Sequence, residues 1–158
     1  MSAISFIAMP TDEARAFQAG RPDANGQVPE HHISDGEGVP CRHCQCDVGP
    51  GKPYLILNYR PFAELQPYAE TGPIFLHAEA CERYAKTEEA PDMFFKNGRR
   101  YLIKGYYEND RIAYGTGKIV APEDMAQAAE EIFERPDISY VHVRSALNNC
   151  YQLRIERT

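Results

Sequence analysis

Three cysteines and a histidine have the types and spacing to do chemistry. Cys41 and Cys44 form C-x2-C inside PCRHCQC, and His77 and Cys81 stand four apart inside HAEAC. C-x2-C lets a tight knuckle aim two sulfurs at one point, and thiolate with imidazole is the donor set tetrahedral zinc takes. Helical residues four apart share a face. The pattern HAEACERYAK predicts a short helix over 77–86, which would bring His77 and Cys81 to the same ion. The expected site is therefore one zinc held by Cys41, Cys44, His77 and Cys81. Four protein ligands leave no open position for water or substrate, so such an ion is structural.

Neighbouring residues keep alternatives open. Cys46 can replace Cys44, and His43 can replace His77. C-x2-C favours Cys44, and His43, lying between two ligands, is expected to point outward. In the absence of metal, Cys44 and Cys81 read as buried apolar thiols and His77 as a hydrogen-bonded surface residue. Cys150 opens the last strand and reads as a core thiol.

Other chemistries fit less well. A thioredoxin-like C-x-x-C needs a helix N-terminus to lower its thiol pKa, but DVGPGKP follows Cys46 and forbids a helix there. A Cys81–His77 nucleophile pair lacks any family-specific signature. GTGK at 115–118 fails as a phosphate loop, because Ile112 and Ile119 stand where glycine and Ser or Thr are required. Glu70, with Tyr68 and Arg60, is a candidate lining for a pocket beside the metal, or simply a polar connection. His31 and His32 read as solvated loop residues.

The elements that must position these groups can be read from patterning. Residues 3–9 read as a strand. Thr11 caps a helix running to about Gln18, with Asp12 and Glu13 in its first turn. Residues 20–40 are rich in Gly, Pro, Asp and Asn and read as a long loop that delivers the chain to the knuckle. Strands are expected at 54–59 and 73–76. A hairpin follows around Asn109-Asp110, then a helix from Pro122, whose Met125, Ala128, Ala129, Ile132 and Phe133 make one apolar stripe. SYVHVRSA and CYQLRIER form a closing hairpin. Its last strand alternates apolar and polar residues, so one face is expected to be buried and one wet. On the same logic His142, between Val141 and Val143, should face outward. The order predicts an α+β domain with a mainly antiparallel sheet, two or three helices and the metal segment at about 40–86.

Composition narrows the setting. At 158 residues the chain has the length of a single domain, 1–158. Its net charge of −6 opposes general binding to phosphate backbones, and Lys96, Arg99 and Arg100 read as a solvated turn. The first residues, MSAISFIAMPTDEARAF, lack the cationic start and apolar run of a leader, and the apolar runs are far too short to span a membrane. A cytoplasmic location is expected, where thiols stay reduced and spaced cysteines point to metal rather than disulfides.

Knuckle, strand pair and helix start resemble the layout of treble-clef zinc fingers over residues 40–86, with a long spacer and H-x3-C as departures. Over nearly the whole chain, PCRHC, YRPF, PYAETGPIFLHAEAC and YVHVRSA…CYQLRIER resemble a bacterial family of short cytosolic proteins, a domain of unknown function. That resemblance implies a bacterial domain and no mechanism. Two readings remain: a zinc-stabilised binding or scaffold module for a protein or small molecule, or an enzyme using Glu70, His43 or a thiol.

Overall fold

The computed structural model describes residues 3–85 and 88–158. It is α+β, with two α-helices and two antiparallel sheets. The strands are β1 (Ile4–Ile7), β2 (Glu30–Ile33), β3 (Pro53–Tyr59), β4 (Gly72–His77), β5 (Tyr101–Tyr106), β6 (Lys118–Val120), β7 (Tyr140–Ser145) and β8 (Tyr151–Arg157). The helices are α1 (Thr11–Gln18) and α2 (Pro122–Ile132). The larger sheet has the order β1-β8-β7-β5-β6, and the smaller has the order β2-β3-β4. Among the described residues, no helix is long and apolar enough to cross a membrane.

Helix α2 starts with Pro122, whose missing N–H costs nothing in the first turn. Its stripe of Met125, Ala128 and Ala129 is buried against Ile4, Phe6, Ile103, Val141, Val143, Leu153 and Ile155, all on one face of the larger sheet. Each large apolar side chain so buried stabilises the fold by roughly 1.5–3 kcal/mol. Gly105 of β5 sits where a Cβ would meet the Cγ2 atoms of Ile132 and Ile138, each at 3.1 Å. Gly105→Ala is expected to cost about 1–2 kcal/mol by overpacking. A urea midpoint equal to wild type would show that the two isoleucines can step aside.

The second core lies around the smaller sheet. Leu55, Leu57 and Tyr59 of β3, with Ile74 and Leu76 of β4, pack with Ala14 and Phe17 of α1, with Val39, Cys41 and Val48, and with Tyr151 of β8. Tyr151 thus belongs to the larger sheet and to the smaller sheet's core, which joins the two layers.

Several sequence expectations need correction. Thr11 is the first helical residue and makes no cap, because Pro10 occupies the N-cap. The 20–40 loop contains β2, an exposed edge strand paired with β3. The helix expected over 77–86 is not formed across 78–85, and residue 86 lies outside the described residues. There β4 runs on through His77, and Ala78 N–H donates to Pro53 O at 3.1 Å. Carbonyls a helix would use internally are taken instead by α1 side chains: His77 O and Glu79 O by Gln18 Nε2, and Cys81 O by Arg15 Nη2. Once those acceptors are satisfied from outside, the helix ladder loses its advantage.

On β8, Tyr151, Leu153 and Ile155 are buried as the alternation expects and Arg154 and Glu156 stay partly exposed, while Gln152, expected to be wet, is buried. His142 points inward and is only 1% exposed. The rings of Phe62, Tyr106, Tyr140 and Tyr151 surround it at centroid distances of 4.7–5.1 Å. Alternation in sequence identified the right residues for this face, but a second layer closes over it.

Candidate metal centre

The knuckle is built by backbone bonds from Val39 to Val48. Val48 N–H donates to Val39 O at 2.8 Å, Cys41 N–H to Cys46 O at 3.0 Å, and Gln45 N–H to Cys41 O at 3.0 Å. Gln45 takes a left-handed φ of 57° to close the turn, and its side-chain amide donates to Arg42 O and Gln152 O. The knuckle lies beside β4: Arg42 N–H donates to Phe75 O at 3.1 Å, and His77 N–H points at Cys41 Sγ at 3.4 Å.

These contacts bring Cys41, Cys44, His77 and Cys81 together, with one donor atom from each lying within 4.8 Å of all the others. Cys41 Sγ is 3.9 Å from Cys81 Sγ, and Cys44 Sγ is 3.4 Å from His77 Nδ1. Cys41 is fully buried, while the other three are partly exposed. This Cys3His group could hold a metal ion. Hydrogen bonds from the Cys44 and Cys81 thiols hold Cys41 far below the usual thiol range, and the same sharing pushes Cys44 up. Hydrogen bonding to the sulfurs of Cys41 and Cys81 raises His77 to about 10. Without an ion, a Cys41 thiolate is therefore matched by a protonated His77, and a metal ion binding here would displace the His77 proton along with the remaining thiol protons.

His43 is not turned outward. It is buried, with Nδ1 3.1 Å from Cys81 Sγ and Nε2 2.9 Å from Thr11 Oγ1. It touches the cluster at Cys81 and is not one of the four clustered donors. Cys46 is exposed and outside the group, with Sγ turned to Cys44 O at 3.6 Å. Cys150 is half-buried at the hairpin, with Sγ near Asn148 O, not in the core. Glu70 goes to Lys104 of β5 at 3.6 Å, and Tyr68 Oη lies 2.9 Å from Tyr114 Oη. Lys96 and Arg99 both face Asp47, at 3.8 and 3.7 Å, so that cluster is partly neutralised.

Sequence reasoning missed the support from α1. At helical spacing, Thr11 holds His43, Arg15 holds Cys81 O, and Gln18 holds both His77 O and Glu79 O. The signal was present as a polar stripe at i, i+4 and i+7, but its partners are remote in sequence.

The family described as "Protein of unknown function (DUF1203)" matches residues 38–157. The match spans all four clustered residues and omits β1, α1 and β2. No curated protein and no solved structure matches the chain.

Proposed function

The chain belongs to the DUF1203 family, whose description assigns no activity, and we propose that it is a zinc-stabilised binding module. Cys41, Cys44, His77 and Cys81 hold one structural zinc ion. The observation that carries this reading is the clustering of four donors from two remote segments. Bonds of about 2.3 Å to sulfur and about 2.0 Å to nitrogen put tetrahedral edges at about 3.5–3.8 Å. The 3.9 Å Cys41–Cys81 and 3.4 Å Cys44–His77 separations are close to those edges. His43 on Cys81 is the outer-shell partner expected of a ligand that must be oriented.

The knuckle and the β3–β4 hairpin correspond to two parts of a treble clef, and irregular chain stands in place of its helix. In this reading the whole of 1–158 acts as one domain, because Tyr151 and Arg42 tie the two layers together. Reduced thiols suit the cytoplasm, and the acidic balance disfavours nucleic acid as a partner. An enzyme would have to draw on Glu70, His43 or a thiol. Glu70 is paired with Lys104, and His43 is buried between Cys81 and Thr11, so the module reading is preferred.

Elemental mass spectrometry on tag-free protein tests it. One zinc per chain is expected in wild type, and none in Cys41→Ser or Cys81→Ser. Metal-free protein from a fresh reduced preparation would overturn the reading and make a thiol-based activity the next one to test.

A further inference from the structure

The face of β5, β7 and β8 turned away from α2 carries Lys104, Tyr106, His142, Arg144, Arg154 and Glu156. An antiparallel sheet ordinarily shows such residues to water. Here Tyr106 and His142 are buried, and Arg144 is 5% exposed. The 60–71 connection lies over them: the Phe62 ring is 5.5 Å from Tyr106 and 5.1 Å from His142, and Glu70 reaches Lys104.

Three of these buried side chains have polar atoms with no hydrogen-bond partner in good geometry: both ring nitrogens of His142, the Tyr106 hydroxyl, and Nε and Nη2 of Arg144. Arg144 Nη1 is occupied, donating to Asn149 O at 3.3 Å. Nε and Nη2 share one edge of the guanidinium. That edge is the fork whose two N–H groups match the two oxygens of a carboxylate. Its electrostatics point the same way. Lys104 has Glu70 and Arg154 has Glu156, at 3.6 and 2.6 Å, while Arg144 has no carboxylate partner among the described residues. The Tyr106 phenol lies beside Arg144: burial raises its pKa, and the guanidinium opposes that rise through its charge and by hydrogen bonding. Buried unpaired donors are rare in native proteins, and a buried guanidinium with an open fork is costlier still.

On its other side His142 lines a cleft of about 360 Å³, together with Tyr59, Tyr151, Arg154 and the acids Glu13 and Glu156; Arg144 and Tyr106 lie behind it, outside the lining. The volume is in the range of small-molecule sites. Burial, with Arg144, Arg154 and Lys104 nearby, keeps the imidazole neutral. A neutral imidazole offers one donor and one acceptor.

We propose that this inner face is a binding site for a small organic carboxylate. The carboxylate sits on the Nε/Nη2 fork of Arg144, the Tyr106 hydroxyl donates to it, and the body lies along His142 towards the cleft. This deepens the binding-module reading by naming a ligand class. It rests on that reading for its meaning and not on zinc for its geometry.

The test is a titration of full-length protein, as purified, with benzoate, acetate and inorganic phosphate, following arginine Nε–H signals by NMR. Zinc content is measured on the same sample. The Arg144 Nε–H is expected to shift downfield and saturate with a carboxylate, with Kd at or below about 1 mM. Arg144→Gln should weaken binding about tenfold or more, and Arg144→Lys, which keeps charge but loses the fork, should fall between. The wild-type titration stands alone should either variant fold poorly. Saturation by phosphate in place of the carboxylates would overturn the ligand class. No saturable shift would overturn the site and leave ordered water as the partner of these groups. Zinc at one per chain without an anion shift defeats this inference alone, and an anion shift in metal-free protein defeats only the zinc reading.

Discussion

Chelation of the metal is expected to raise amide exchange around the knuckle by orders of magnitude and to leave the larger sheet protected. Structural zinc contributes about 10–16 kcal/mol in finger peptides. The gain should be smaller here, because the knuckle has other ties, but it should remain the largest single term in its region. Residues 78–85 have no regular secondary structure, so apart from metal ligation Cys81 is held by a few side-chain and turn contacts, from Arg15, His43 and the Tyr84 N–H to His43 O. The amides to follow are those of Cys41, Arg42, Gln45 and Tyr84, which donate to Cys46 O, Phe75 O, Cys41 O and His43 O. Val143 and Leu153, paired in the larger sheet and packed under α2, serve as the reference. Equal protection of the first group with and without chelator would sink the structural role. Global loss at Val143 and Leu153 as well would mean that the two layers unfold as one cooperative unit.

Arg42→Met is expected to cost about 2–4 kcal/mol, with the denaturant slope unchanged. Arg42 is fully buried within the knuckle. Its Nε donates to Tyr151 O of β8 and its Nη1 to Pro40 O at 2.6 Å, so it bridges the knuckle to the larger sheet. Burial lowers its pKa to about 10, which leaves it charged at neutral pH. Methionine fills similar space and removes the burden of a buried charge, but it strands two carbonyls at about 1–3 kcal/mol each. The stranded acceptors should outweigh the relief. Urea unfolding of both proteins, matched for zinc content, checks this. A midpoint within error of wild type would show that the carbonyls find other donors.

The local elements were legible because their signals are local. Pro122 and the stripe from Met125 to Phe133 specify α2, and alternation from Tyr151 to Glu156 specifies β8. The C-x2-C knuckle was legible for the same reason: a tight turn needs only its own residues and the left-handed Gln45. The failures share one cause. HAEACERYAK has helical spacing, yet Arg15 and Gln18, some sixty residues earlier, take its carbonyls. His142 has the alternation of an exposed residue, yet Phe62 covers it from another layer. His43 lies between two knuckle cysteines, yet Thr11 and Cys81 draw it inward.

By itself, then, the sequence determined donor chemistry, periodicity and turns, because each depends on side-chain type within a few residues. Only the tertiary structure decided which carbonyls are already satisfied, which polar face is sealed, and that Arg144 keeps an open fork beneath it. Those properties depend on which remote segments meet, and no local pattern of charge or hydrophobicity encodes that.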